Sequence, residues 1–254
     1  MATIAYSTDA DRGEARFFFA MACVMAVGTM GGFALNLATG RTSFAMPWLV
    51  HVHAWVFMSW IGLNLTQNYL VFSDNVALHR RLGWLSVVLI PVMVVVGLLV
   101  HRWSMLDHGG PSFIAANEFL IGNALQLFVF AGLSVSAIAL RKKTAWHRRL
   151  MLCAFADIAG AGIGRLVPLP LVIPAAWWVN VSLTLTFPLI GMLADKRRYG
   201  AVHPAWLWGI GTVTAVLIVG QLIAYSPLGY QFTEWYLAGS PGAERPLEAY
   251  IPAM

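Results

Sequence analysis

Charge is what this chain has least of. Asp, Glu, Lys and Arg make up 11% of its 254 residues, where a soluble domain carries about 25%. Hydrophobic residues fill 59% and mean hydropathy is +0.71. That balance excludes an ordinary soluble enzyme. A net charge of +5 would suggest nucleic acid in a soluble protein, but the positions of the charges explain it otherwise, as follows, and no nucleic-acid partner is expected. Cysteine is scarce too. Cys23 and Cys153 both fall inside apolar stretches, which argues against a disulfide and leaves no CxxC-type metal or redox motif. The opening MATIAYSTDADRGEAR lacks the basic run and small-residue cleavage site of a secretory signal, so the first apolar stretch is expected to remain as a helix. P-loop, GxSxG and HExxH motifs are missing. The last apolar stretch has no lysine for a retinal Schiff base, and the histidine series of di-iron membrane hydroxylases does not occur.

What is present is apolar length. A spanning helix needs about 20 mostly apolar residues, and seven stretches supply them, at roughly 15–37, 48–72, 82–102, 114–140, 149–169, 173–194 and 204–225. The expected fold is therefore all-α: a seven-transmembrane-helix bundle with short loops, one domain over residues 1–225. Residues 226–254 form a polar tail, in which Phe232–Leu237 reads as an aromatic segment lying on the membrane surface.

Orientation follows from Lys and Arg, which concentrate on the cytoplasmic side. With the N-terminus in the cytoplasm, Arg12, Arg16, Arg80, Arg81, Arg141, Lys142, Lys143, Arg148, Arg149, Lys196, Arg197 and Arg198 all fall inside, twelve of sixteen basic residues. The location expected is a bacterial inner membrane, with the C-terminal tail outside. The arginines are then topology signals that touch anionic lipid heads. Most tryptophans, Trp206 among them, read as interfacial anchors. Leu78-His-Arg-Arg-Leu-Gly83 and Trp146-His-Arg-Arg-Leu-Met151 suggest a parallel internal repeat, 48–102 against 114–169.

Polar atoms held in hydrocarbon are costly and usually have a task or a partner, so they are the candidates for function. In the second stretch His53, Trp60, Asn64 and Gln67 share one helical face, which must point into the bundle. His53 and His101 lie near the outer surface on antiparallel neighbours at similar depth. Two such imidazoles can ligate a b-type haem from both faces, with Arg165 pairing a propionate. Copper or zinc could use the same nitrogens, but no carboxylate or thiolate completes the set. At the inner side His79 and His147 stand beside arginine pairs, as a lipid-phosphate cluster or a metal or haem site. Asp157 falls near the bilayer centre, in the small-residue run Asp157-Ile-Ala-Gly-Ala-Gly-Ile-Gly-Arg165. Gly160 and Gly164 allow another helix to approach closely. Asp157 is a proton carrier or cation site, with Gln67 as a partner for a proton or quinone. Glu118 and Arg165, at similar depth, are expected to pair.

HVHAW at 51–55, LTQNYLVFSDNVALHRRLGWL at 65–85 and TAWHRRLMLCAFADIAGAGIGRL at 144–166 resemble a group of bacterial polytopic, seven-helix membrane proteins without an assigned reaction. More loosely they resemble b-haem and quinone-type membrane families, with a histidine early in one helix and an HRxxG opening the next. The resemblance covers about residues 48–170 and points to His53, Gln67, His79 and His147. Three functional readings stay open. The first is a b-haem-binding redox or electron-transfer protein, in contact with a quinone or other apolar small molecule. The second is a non-catalytic accessory subunit, or lipid- or cofactor-binding module, of a complex with partner membrane subunits. The third is a proton-coupled small-molecule transporter using Asp157.

Overall fold

The computed structural model describes residues 9–251, and every regular element among them is helical. The α-helices are α1 (Asp9–Ala38), α2 (Trp48–Phe72), α3 (Val76–Leu82), α4 (Leu85–His108), α5 (Ala116–Ala139), α6 (Thr144–Ile163), α7 (Ala176–Tyr199), α8 (Pro204–Ala224) and α9 (Pro227–Leu237). The seven long ones coincide with the seven apolar stretches. Among the described residues, five spans are long and apolar enough to cross a membrane: α1, α3 with α4, α5, α7 and α8. The other two long helices are α2 with 25 residues, which carries the polar stripe, and α6 with 20, which carries Arg148, Arg149 and Asp157.

The composition of α6 is explained by its place. It packs against α1, α5, α7 and α8, and its residues from Arg149 to Gly162 are mostly buried in protein. A helix that meets other helices need not be as apolar as one that meets lipid. The run of small residues lets those neighbours close in. A methyl carbon added at Gly162 would come within 2.5 Å of the Thr29 Cα on α1, and one at Gly160 within 2.8 Å of Thr184 on α7. The expected close approach at Gly160 and Gly164 is thus found with α7, and Gly162 adds a second one with α1. Helices α2 and α4 pack on each other and join the bundle through α1 and α5. The exposed large side chains, such as Val27, Trp55, Val88, Leu193 and Leu222, lie on the outer surface of the bundle.

Contacts between helix ends fix an alternating arrangement. One end gathers the starts of α1, α6 and α8 with the end of α7, through Glu14, Arg149, Asp195 and Trp206. The end of α5 joins them where Ala137 accepts from His147. This is the arginine-rich end. At the opposite end Asn117 of α5 donates to the Ala224 carbonyl of α8. There Arg245 donates to the carbonyls of Gly109, Gly110, Pro111 and Ile114 in the α4–α5 connection. Gly109 closes α4 at φ +67°, a left-handed cap that favours glycine, and the Arg245 stem and Gly242 carbonyl press on it. Helix α9 lies across this end with Leu228, Phe232 and Trp235 exposed along one side and Gly229, Thr233 and Leu237 buried on the other. That is the form expected for an aromatic surface segment.

Candidate functional site

The polar side chains that bear on function fall into four separate groups. The first, at the arginine-rich end, is an ion network that the sequence reading missed. Arg149 is 2% exposed. Its Nε and Nη2 donate to the two carboxylate oxygens of Asp195 at 2.7 and 2.6 Å, Nη2 also to Glu14 at 2.8 Å, and Nη1 to the Ala145 carbonyl at 3.0 Å. Trp206 donates its indole N–H to Asp195 at 2.8 Å, Tyr199 its hydroxyl to Glu14 at 2.7 Å, and Arg148 pairs with Glu14. The guanidinium joins α6 to α1 and α7, and Trp206 adds α8 through Asp195. Arg149 is therefore a buried tie and not a lipid contact, and Trp206, fully buried, is not an interfacial anchor. Trp48, Trp55, Trp84 and Trp208 are well exposed, as anchors should be. The available signal was one acid at the inner edge of each partner helix: Glu14 and Asp195 stand directly beside the apolar stretches 15–37 and 173–194, where a buried carboxylate calls for a cation.

The second group lies beside the first. His79 and His147 face each other with ring centroids 6.3 Å apart and planes at 79°. His147 donates from Nδ1 to the Ala137 carbonyl at 2.8 Å. His79 is held through Nδ1 by Gln67, whose main-chain carbonyl lies 3.3 Å away. The Gln67 amide, oriented by its surroundings, accepts from Gly83 N–H at 2.9 Å and donates to the His79 carbonyl at 3.0 Å. Gln67 thus fastens the short helix α3 to the end of α2. The expected partnership of Gln67 with Asp157 is not formed, because Gln67 sits at the helix ends and Asp157 at mid-depth. The Nε2 atoms of both histidines take no hydrogen bond from the described residues.

The third group is at the opposite end. His101 is buried, its Nε2 donating to the Leu120 carbonyl and its Nδ1 accepting from Asn123, both at 3.1 Å. With both nitrogens engaged between α4 and α5, His101 has none left for iron, and the expected haem pair of His53 with His101 does not fit. His53 packs on Phe57, 4.2 Å between centroids, within electrostatic reach of Arg165. Arg165 donates to the Ala161 carbonyl and stacks 4.3 Å over Phe33. It does not meet Glu118. That acid, 1% exposed, stands beside Gln221 of α8 and Tyr225 at the end of that helix. Among the described residues no three His, Cys, Asp or Glu side chains gather as a metal would require.

The fourth group is Asp157, alone. It is 3% exposed. Gln126 of α5 donates to its main-chain carbonyl at 2.8 Å, while Oδ2 has no partner among the described residues. Two hollows meet at it. Toward the opposite end lies a cavity lined by Gly122, Gln126, Trp177, Val213 and Leu217, with about 20 Å³ of room for water, enough for one molecule. Toward the arginine-rich end lies a crevice lined by Cys153, Thr184, Leu185, Pro188 and Ile210, with no room for water. Pro188, inside α7, has no N–H for the carbonyl of Thr184, so a main-chain acceptor is freed beside the carboxyl.

No protein-family model, curated protein or solved structure matches the chain. Its function must be read from these four groups.

Proposed function

We propose that the chain is a seven-span protein of the bacterial inner membrane, N-terminus in the cytoplasm and tail outside, that exchanges protons at Asp157 as a proton-coupled small-molecule transporter. The clustering of basic residues at one end of the bundle supports that orientation. A single observation carries the function: Asp157 is buried at mid-depth with one carboxylate oxygen unpartnered, no cation bonded to it, and room for a water beside it. A bare charge there costs several kcal/mol at least, so the carboxyl holds a proton or exchanges it for a bound cation. The proline break in α7 next to it supplies a place for the helix to bend. The test is proton movement in sealed vesicles, followed with a pH-sensitive dye while a panel of small metabolites is added. Asp157→Asn abolishes substrate-driven proton flux; an unaltered flux discards the role.

A second reading keeps a b-type haem, moved to the inner histidines. His79 and His147 favour it because main-chain carbonyls and Gln67 hold each Nδ1 while each Nε2 is left available. That is how ligating histidines are commonly oriented. Bound there, a haem would supply one-electron transfer, with Arg80 and Arg141 near enough to affect the two rings and to meet its propionates. A Soret band in the purified protein that disappears in His147→Ala supports this reading, and a colourless protein ends it.

A further inference from the structure

We infer that Asp157 exchanges its proton with the outer side only, through a two-carboxyl relay in which Glu118 is the outer member and Tyr225 its contact with the surface. The inference rests on the proposed exchange at Asp157 and adds the direction and the path.

The asymmetry of the two hollows gives the direction. The water-sized cavity extends from Asp157 toward the end where Glu118 lies, and the dry crevice extends toward the arginine-rich end. The dry side is sealed twice. Cys153, one turn before Asp157, presses on α8 so closely that a methyl carbon at Gly209 would lie 2.4 Å from its Sγ. One turn further, Arg149 locks α6 to α1, α7 and α8.

Helical register gives the path. Gly122, in the cavity wall, lies one turn from Glu118 on α5, and Leu217, in the opposite wall, lies one turn from Gln221 on α8. Gln221 and Tyr225 are the polar side chains beside Glu118. The cavity therefore ends one helical turn from the Glu118 cluster. Gly122 keeps it open: a methyl carbon there would stand 3.0 Å from the Trp177 ring. Tyr225 is 44% exposed, so it stands between the surface and Glu118. A proton from surface water enters the Tyr225 hydroxyl as that hydroxyl passes its own to Glu118; Glu118 passes one to the cavity water, and the water passes one to the Asp157 carboxylate. Tyr225, Glu118 and the water each end with the protons they began with, and only Asp157 changes charge.

The groups facing both acids leave the path to these residues. Gln126 of α5, Thr184 of α7, Val213 of α8 and Cys153 of α6 surround Asp157. Arg149 and Arg165 both lie eight residues from Asp157; Arg149 is matched with Glu14 and Asp195, and Arg165 is turned to the Ala161 carbonyl and the Phe33 ring. Around Glu118, Tyr230 of α9 acts on Tyr225, and His101 of α4 is spent on Leu120 and Asn123.

The experiment is time-resolved infrared spectroscopy of the full chain in vesicles of sorted orientation, after a pH jump applied to one side. The Asp157 carboxyl band is assigned by its loss in Asp157→Asn. An outer jump reaches Asp157 quickly and an inner jump slowly. Glu118→Gln slows the outer response about 100-fold, the scale of a positioned proton-transfer group, and leaves the extent of Asp157 protonation at equilibrium unchanged. Gly122→Val slows it as well. An outer response of wild-type speed in Glu118→Gln overturns the relay while leaving exchange at Asp157 intact. A faster inner response overturns the direction. A pH-insensitive Asp157 band ends both the relay and the exchange site.

Discussion

Arg149 and Asp157 lie two turns apart on the same helix, both buried, and they are treated in opposite ways. Around Arg149 each polar atom has an answering one: two carboxylates, a carbonyl, and through those carboxylates an indole and a phenol. Around Asp157 there is an amide, a cavity and an oxygen with no partner. Burying charge is worthwhile for stability only when the partners are complete. The inner network is a joint, and the incomplete site is where a proton or ion can come and go.

That contrast is open to direct attack. The largest effect is expected from Arg149→Ala, which leaves Glu14 and Asp195 buried without their guanidinium and costs about 3–5 kcal/mol. The check is thermal or chemical unfolding in detergent. Arg149→Lys recovers little, since one ammonium cannot fork between two carboxylates. Next comes Gly162→Ala, which drives a methyl into the Thr29 backbone and costs about 1–3 kcal/mol by overpacking, read by the same melts. Trp206→Phe keeps the stacking on Phe18 but removes the donor to Asp195, for a loss of about 1 kcal/mol. The smallest change belongs to Asp157→Asn, which alters stability by less than about 1 kcal/mol because no ion pair is lost. A destabilisation as large as that of Arg149→Ala would mean that Asp157 is structural after all.

The helices were legible because hydrophobic length is a direct physical demand of the bilayer, and each of the seven apolar stretches became one long helix. The interior was legible only where a residue carries its own cost. Asp157 stood out because nothing near it in sequence could neutralise it. Arg149 did not, because an arginine at a helix start reads equally well as a lipid contact, and its partners Glu14 and Asp195 lie 135 and 46 residues away. His101 misled for a related reason. A sequence places an imidazole at a depth, but only the fold shows that Leu120 and Asn123 have used both its nitrogens. His79 and His147 were matched by their HRRL tetrapeptides, and the fold does bring their rings together, edge to face.

Arg245 reaches back 136 residues to the Gly109 carbonyl and bonds its neighbours as well. Those carbonyls leave the ribosome long before the side chain that satisfies them. Until Arg245 emerges, the α4–α5 turn has to make do with solvent. The stretch after α9 is thus the latch that fastens one end of the bundle, so a chain halted after α8 would hold every long helix and still leave that turn unfastened.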